Sequence, residues 1–237
     1  MFTPLSLSPA LWLDASDSMT LFSGASPAAP DGAISEWRDK SGNARHATQS
    51  TGVSQPLRKT AIQNGRDVVR FDGSNDAVVS HDWYSSDITV FAVAKTNNAS
   101  VIQHVLGKFD GGTDEREWLL SFDASNKLRF IKNSTGLAAD NQTITTVSSA
   151  GTAFGVFDWR KNGTAARMGI NAASEDFAFG DAGVFDGTSA WLVGAIAGSA
   201  TGFLDGDICE IVMFSSALAD ADVTLMRNYL KTKWGTP

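Results

Sequence analysis

"GDICEIVMFSSALADADVTLMRNYLKTKWG" runs from Gly206 to Gly235 and changes period halfway along. In its first part the side chains alternate. Asp207, Cys209, Ile211 and Met213 fall on one face of a strand, and Ile208, Glu210, Val212 and Phe214 on the other. That parity makes Cys209 a small buried hydrophobe. In the second part apolar residues fall at Ala219, Val223, Met226, Leu230 and Trp234, in steps of 4, 3, 4 and 4. Those steps trace one face of a helix. Asp220 is the expected N-cap, Lys231 and Lys233 suit the negative C-terminal end, and Gly235 is the expected stop. The stretch therefore predicts a strand that feeds a C-terminal helix.

Upstream, only the strand pattern recurs. "DVVRFDG" (Asp67 to Gly73), "DITVFAVAKT" (Asp87 to Thr96), "VIQHVLGKFD", "EWLLSFDASNKLRFIKN", "TAFGVFDWRKNGTAARMGIN" and "SAWLVGAIAG" are short, rich in β-branched residues, and separated by Gly, Asn, Asp and Ser. "DASNK" and "RKNGT" are hairpin signals, because Asn and Gly accept the positive φ of such turns. No helical pattern alternates with the strands, which argues against a parallel α/β fold. The expected fold is all-β, a two-sheet sandwich with one C-terminal helix. Residues 1–237 read as a single domain, with no linker and no internal repeat.

Composition sets the remaining bounds. The 237 residues include seven Trp and fourteen Phe, enough for a large aromatic core. The formal net charge is −7 and no run of Lys and Arg occurs, which argues against nucleic acid and anionic membrane as partners. A single cysteine forbids an internal disulfide and a cysteine-based zinc site. The N-terminus has no basic segment followed by an apolar run, so it does not read as a Sec signal, and the expectation is synthesis in a cytoplasm.

Several clusters carry candidate chemistry. In "EWRDKSGNARHATQ" (Glu36 to Gln49), Asp39 is placed to accept the N–H groups of Ser41 and Gly42 in an Asx-turn. Gly42 or Asn43 would take positive φ and Trp37 would anchor the corner. His46 as a general base is the alternative, but no activating Ser or Cys context and no oxyanion motif accompany it. In "RFDGSNDAVV", Asp72, Ser74, Asn75 and Asp76 offer oxygens to a hard cation such as calcium, or hold a turn. Asp205 and Asp207 could join that site. Trp83, Tyr84, Trp118 and Trp159 lie near strand ends, either as core or as platforms for sugar rings.

Together, "LSPALWLDASD", "WRDKSGNARHATQ", "VVRFDGSNDAVV", "ITVFAVAKT" and the Gly206–Gly235 stretch resemble the laminin G-like branch of the concanavalin A-like lectin/glucanase superfamily, in that family's order and over nearly the whole chain. The resemblance implies a concanavalin A-like jelly-roll β-sandwich of two antiparallel sheets. Such domains bind glycans or proteins, or serve as structural modules, in secreted bacterial proteins and in virion proteins of tailed phages. The retaining β-glucanases of the superfamily carry E-x-D-x-E on one strand, and this chain has none. Glu115 and Glu117 share a face without a third acid, so glycoside hydrolase activity is the least favoured reading.

The resulting expectation is a non-catalytic module on a phage virion surface, docking on other virion proteins as a capsid decoration, head fibre or tail component. Homo-oligomers are common among such proteins. A bacterial carbohydrate-binding module, extracellular or on the cell surface, is the alternative. Residues 1–9 read as a docking arm carrying Phe2, Leu5 and Leu7, removable without loss of the fold. Asp110, Asp114, Trp118 and Asn141 are the expected glycan-binding residues, with cell-surface polysaccharide as the ligand class. Asp72, Asp76, Asp205 and Asp207 are the expected cation ligands.

Overall fold

Three strands dictate the layering. Ile88–Thr96, Gly155–Asn162 and Asp205–Phe214 are buried on both faces for almost their whole length. Each must be covered on both sides. The computed structural model describes residues 2–237 and supplies both covers. These strands form the centre of an eight-stranded sheet ordered Ala173–Ala178, Ala165–Ile170, Gly155–Asn162, Ile88–Thr96, Asp205–Phe214, Arg66–Asp72 and Leu57–Gln63, with Leu11–Asp14 also pairing to Asp205–Phe214. A second sheet has ten strands. It starts with Asn141–Ser149, Lys127–Asn133, Glu115–Phe122 and Gln103–Asp110, and continues through short pieces to Leu21–Ser23 and Ser26–Pro27. The strand pairs within both sheets are antiparallel. The all-β sandwich closed by one C-terminal helix is thus the observed architecture.

Two cores result. Between the sheets lie Leu11, Leu13, Val90, Phe157, Trp159, Ile211 and Met213 from one layer and Trp37, Leu106, Trp118, Leu120 and Phe130 from the other. On the opposite side of the eight-stranded sheet, Trp12, Val68, Phe91, Val93, Val156, Val212 and Phe214 are covered by Val223, Met226, Leu230 and Trp234 of the helix. Burying a side chain of this size contributes about 1.5–3 kcal/mol, so both covers are substantial.

The closing strand departs from simple alternation. Its register against Ile88–Thr96 shifts between Ile208 and Glu210, leaving Cys209 as an extra residue. The bulge puts Ile208 with Ile211 and Met213 in the inter-sheet core. Cys209 instead joins Val212 and Phe214 beneath the helix. Cys209 is buried as expected, but on the other face.

The helix spans Asp220–Trp234. Its N-cap is Ala219, which makes no side-chain cap and is exposed. Asp220 is the first helical residue and pairs with Arg160 at 2.5 Å, and its negative charge suits the helix N-terminus. Gly235 ends the helix at φ 63° and donates its N–H to Lys231 O at 2.8 Å. Both hairpin signals hold, with Asn126 at φ 56° and Gly163 at φ 58°. Among the described residues no helix is long and apolar enough to cross a membrane.

A buried carboxylate joins the layers. Glu210 accepts from Trp12 Nε1 (2.7 Å), Tyr229 Oη (3.2 Å), Lys233 Nζ (2.7 Å) and Trp234 Nε1 (2.6 Å). Lys233 also reaches Asp14 at 2.7 Å. Removing one partner of such a buried pair strands the other charge and costs about 3–5 kcal/mol. Glu210→Ala is therefore expected to lower unfolding free energy by roughly that amount in a urea melt. A loss under about 1 kcal/mol would show that the network does not hold the helix.

Candidate functional site

The corner at Glu36 to Gln49 is a structural joint. Asp39 Oδ1 accepts the N–H groups of Trp12 (2.9 Å) and Ser41 (2.8 Å), and Oδ2 accepts that of Arg45 (3.0 Å). The Asx-turn to Ser41 forms as expected, but Arg45 takes the place foreseen for Gly42. Gly42 takes the positive φ as expected, at 92°, and Ala44 adds a second at 55°. His46 Nδ1 accepts the Asp39 N–H at 3.1 Å, so the ring is part of the turn. Trp37 is fully buried.

The four expected cation ligands do not converge. Asp207 is fully buried and bound by Arg70 at 2.7 and 2.9 Å and by Lys95 at 3.4 Å. Its charge is already neutralised, which removes it from the proposed set. Asp72 accepts from the N–H groups of Ser74 and Asn75, and Asp76 accepts from that of Asp72. Asp205 lies across the ladder from Asp72 and accepts from Asn97 at 3.0 Å. Burial and the charge of Asp72 raise the pKa of Asp76 to about 6. Among the described residues no group of three or more His, Cys, Asp or Glu side chains is placed to hold a metal ion.

Segments that are remote in sequence meet at one end of the sandwich. The turn at 110–115, the loop at 133–141, the segment 181–190 and the segment 80–87 all gather there. Phe185 N–H donates to Asn133 O at 2.8 Å, Thr188 N–H to Glu115 at 2.5 Å, and Tyr84 Oη to Val184 O at 3.4 Å. Three buried lysines hold this end. Lys108 and Lys132 stand on either side of Trp118 in the ladder, with Lys161 over the same ring. Their stems line the core and their amines emerge at the loops. Lys108 binds Asp82 (2.6 Å), Glu117 and Gly187 O (3.0 Å). Lys132 binds Asp181 (2.6 Å) and Gly183 O (2.7 Å), and Lys161 binds Asp87 (2.9 Å) and Ser86 O (2.7 Å).

Three of the four expected glycan-binding residues reach this end. Asp114 is exposed and braced by Arg116 at 3.0 Å, and Asp110 accepts the Gly112 N–H at 2.8 Å. Asn141 is exposed, with Oδ1 taken by Asn133 at 2.9 Å. Trp118 is the exception: it is fully buried and stacked on Phe130, with no face for a sugar. Trp83 and Trp159 are also buried, while Tyr84 is 44 % exposed. Exposed Asp82 and Asp186 belong to segments that meet beside it. The lysine anchors were missed in the sequence. Their signal was a lysine among apolar residues near a strand end, as in "VLGKF" and "RFIKN".

The docking arm is only partly free. Phe2 packs edge-on against Tyr229, with ring centroids 6.0 Å apart, and Leu7 is packed into the helix-side core. Leu5 is 51 % exposed. The arm is therefore an integral cover for the helix, because burying Phe2 and Leu7 there removes apolar area from water.

The two antiparallel sheets and the C-terminal helix define a β-sandwich domain. No protein-family model matches the chain, and no curated protein matches it in sequence. Solved structures do resemble it. The binding domain of Paraclostridial Mosquitocidal Protein 1 superposes with TM-score 0.69 at 13 % identity, over 98 % of this chain and 56 % of that one. The ligand-binding domain of botulinum neurotoxin serotype D, solved in complex with N-acetylneuraminic acid, gives 0.66 at 10 %, over 99 % and 56 %. The CBM40 of the Ruminococcus gnavus IT-sialidase, bound to α2,3-sialyllactose, gives 0.50 at 15 %, over 60 % and 83 %. The chain thus spans little more than half of the toxin domains. At these identities the likeness is one of fold.

Cutting back residues 2–9 is expected to lower the melting temperature by several degrees, as loss of two packed side chains costs about 2–4 kcal/mol. An unchanged melt would restore the arm as a dispensable appendage.

Proposed function

We propose that the protein is a non-catalytic glycan-binding module that uses the loop end of the sandwich. The observation that carries the reading is Tyr84, an exposed ring set among exposed carboxylates on loops that a rigid scaffold holds in place. An aromatic face with nearby acceptors suits the apolar face and the hydroxyl donors of a sugar. Binding loops at the end of a rigid sandwich are a common arrangement. The similar sandwiches solved with sialic acid and with sialyllactose support the class of ligand. The charge does not favour sialic acid itself here. Asp82 is paired with Lys108 and Asp114 with Arg116, which leaves Asp186 and the net charge of −7 to repel its carboxylate, so a neutral or amino-sugar polysaccharide of a cell surface is the better fit.

Catalysis is not part of this reading. Glu117 is buried against Lys108, and Glu115 caps the Thr188 N–H, so neither stands ready across an open site. The sequence resemblance supports the surface of a phage virion, assembled in the host cytoplasm, as the place of action, with the exterior of a bacterium as the alternative. Docking on virion proteins or on a second copy is a second reading. It is favoured by a groove of about 530 Å³ lined by Phe2, Leu225 and Tyr229.

A glycan array with the wild type and Tyr84→Ala tests the proposal. Binding to one glycan class is expected, reduced roughly tenfold or more in the variant at unchanged melting temperature. A blank array from folded protein would transfer the weight to protein docking. The same array in calcium and in EDTA tests the cation reading. Binding is expected to survive EDTA, because Asp207 is already neutralised by Arg70 and Lys95.

A further inference from the structure

Glu117 sits under the loop end in an unusual position. It is buried, and its strand is irregular there, since the register between Gln103–Asp110 and Glu115–Phe122 shifts at Lys108 and Phe109. Oε1 accepts from Lys108 Nζ and from the Gly187 N–H at 2.7 Å. Oε2 is buried with no hydrogen-bond partner. A carboxylate with one oxygen sealed from water and unpaired is costly, and the neutral acid less so. The 181–190 segment meets this carboxyl through the Gly187 N–H, which donates to Oε1.

We propose that Glu117 is a proton-operated latch on the 181–190 segment: neutral, it holds the segment closed over the sandwich end, and ionised, it favours release. The surrounding groups fit that role. From Gln103–Asp110 comes Lys108, shared with Asp82. From 80–87 come Asp82, Tyr84 and Asp87, with Asp87 taken by Lys161. From the latched segment comes Asp186, which faces both Glu117 and Tyr84. On its own strand, Glu115 holds Thr188 and Arg116 holds Asp114. Burial raises the pKa of Glu117 to about 7, outweighing Lys108 and the Gly187 N–H, and Asp186 adds to the rise.

The sign follows from linkage. In a released segment the carboxyl meets water while Lys108 of the paired strand stays beside it, so its pKa falls to the ordinary value of 4.5 or below. The closed state, with the raised value, binds the proton more tightly. Its extra stabilisation is fully present below that released value and is lost as pH rises through about 7. Between pH 6 and pH 8 the closing equilibrium should change by about tenfold. Acid closes the loop end and mild alkali opens it. That this gates ligand access rests on the glycan-binding reading above; the latch itself does not.

Amide hydrogen exchange on the full chain, read by NMR as protection factors, tests the latch. The Gly187 amide should lose about tenfold protection from pH 6 to pH 8, while amides of Lys127–Asn133 stay constant. In Glu117→Gln the Gly187 value should not depend on pH. No change in the wild type, or the same change in the variant, would overturn the proposal. A carboxyl-carbon titration of wild-type Glu117 checks it without any variant: a midpoint near 7 is expected, and a midpoint at the ordinary value sinks the latch. Exchange that behaves as expected, with no glycan bound at any pH, would remove the glycan reading and leave the latch standing.

Discussion

Glu210 is the point on which the eight-stranded sheet and its helix depend. A carboxylate sealed from water must be paired, and here two indoles, a phenol and an ammonium supply the partners. They come from the strand Leu11–Asp14 and from the last turns of the helix. The closing strand, an early strand and the final helix can therefore meet in only one register without stranding a charge. Lys233, divided between Glu210 and Asp14, ties the first strand to the helix again. Arg227, nearly two turns before Lys233, repeats the device by clamping Asp158 of Gly155–Asn162, two strands away in the sheet, at 2.7 and 3.0 Å. The apolar face of the helix says that it must be covered. The acids under it say where it lies.

Much of this layering was legible beforehand, since it rests on period. The helix face Val223, Met226, Leu230 and Trp234 follows from spacing alone. Of the strands buried on both sides, Ile88–Thr96 announces itself as an almost unbroken apolar run, while Gly155–Asn162 and Asp205–Phe214 are interrupted by Asp158, Lys161, Asp207 and Glu210. What defeated the reading was local. A bulge is one residue of extra length and leaves no mark in composition, so the faces of Cys209 and Ile208 came out exchanged. The shortest strands of the ten-stranded sheet, such as Glu36–Trp37 and Ala47–Thr48, are too brief to show alternation. The Asx corner at Asp39 was readable in kind but not in detail, because which N–H groups a carboxylate reaches depends on the fold around it.

The candidate site was legible only in outline. Asp110, Asp114 and Asn141 were expected to lie together, and strand order brings their loops to one end. Trp118 was assigned to the surface through its place in the chain, but parity turns it inward, against Phe130. Asp205 and Asp207 looked like a pair of ligands, yet Arg70 and Lys95, remote in sequence, claim Asp207. Such long-range ion pairs have no local signature. The exposed residue that matters most in the functional reading, Tyr84, was considered alongside three tryptophans of which every one is core.

The three lysines at the loop end have a consequence for how such a surface can change over generations. Lys108, Lys132 and Lys161 each grip a main-chain carbonyl, at Gly187, Gly183 and Ser86. A carbonyl is present whatever side chain the residue carries. The scaffold therefore holds its loops by features that substitution at the tips does not erase. New side chains can be presented at Tyr84 or Asp186 while the grip from below persists. The rigid part of the molecule and the part exposed to a changing target are in this way mutationally uncoupled, as a handle is from interchangeable blades.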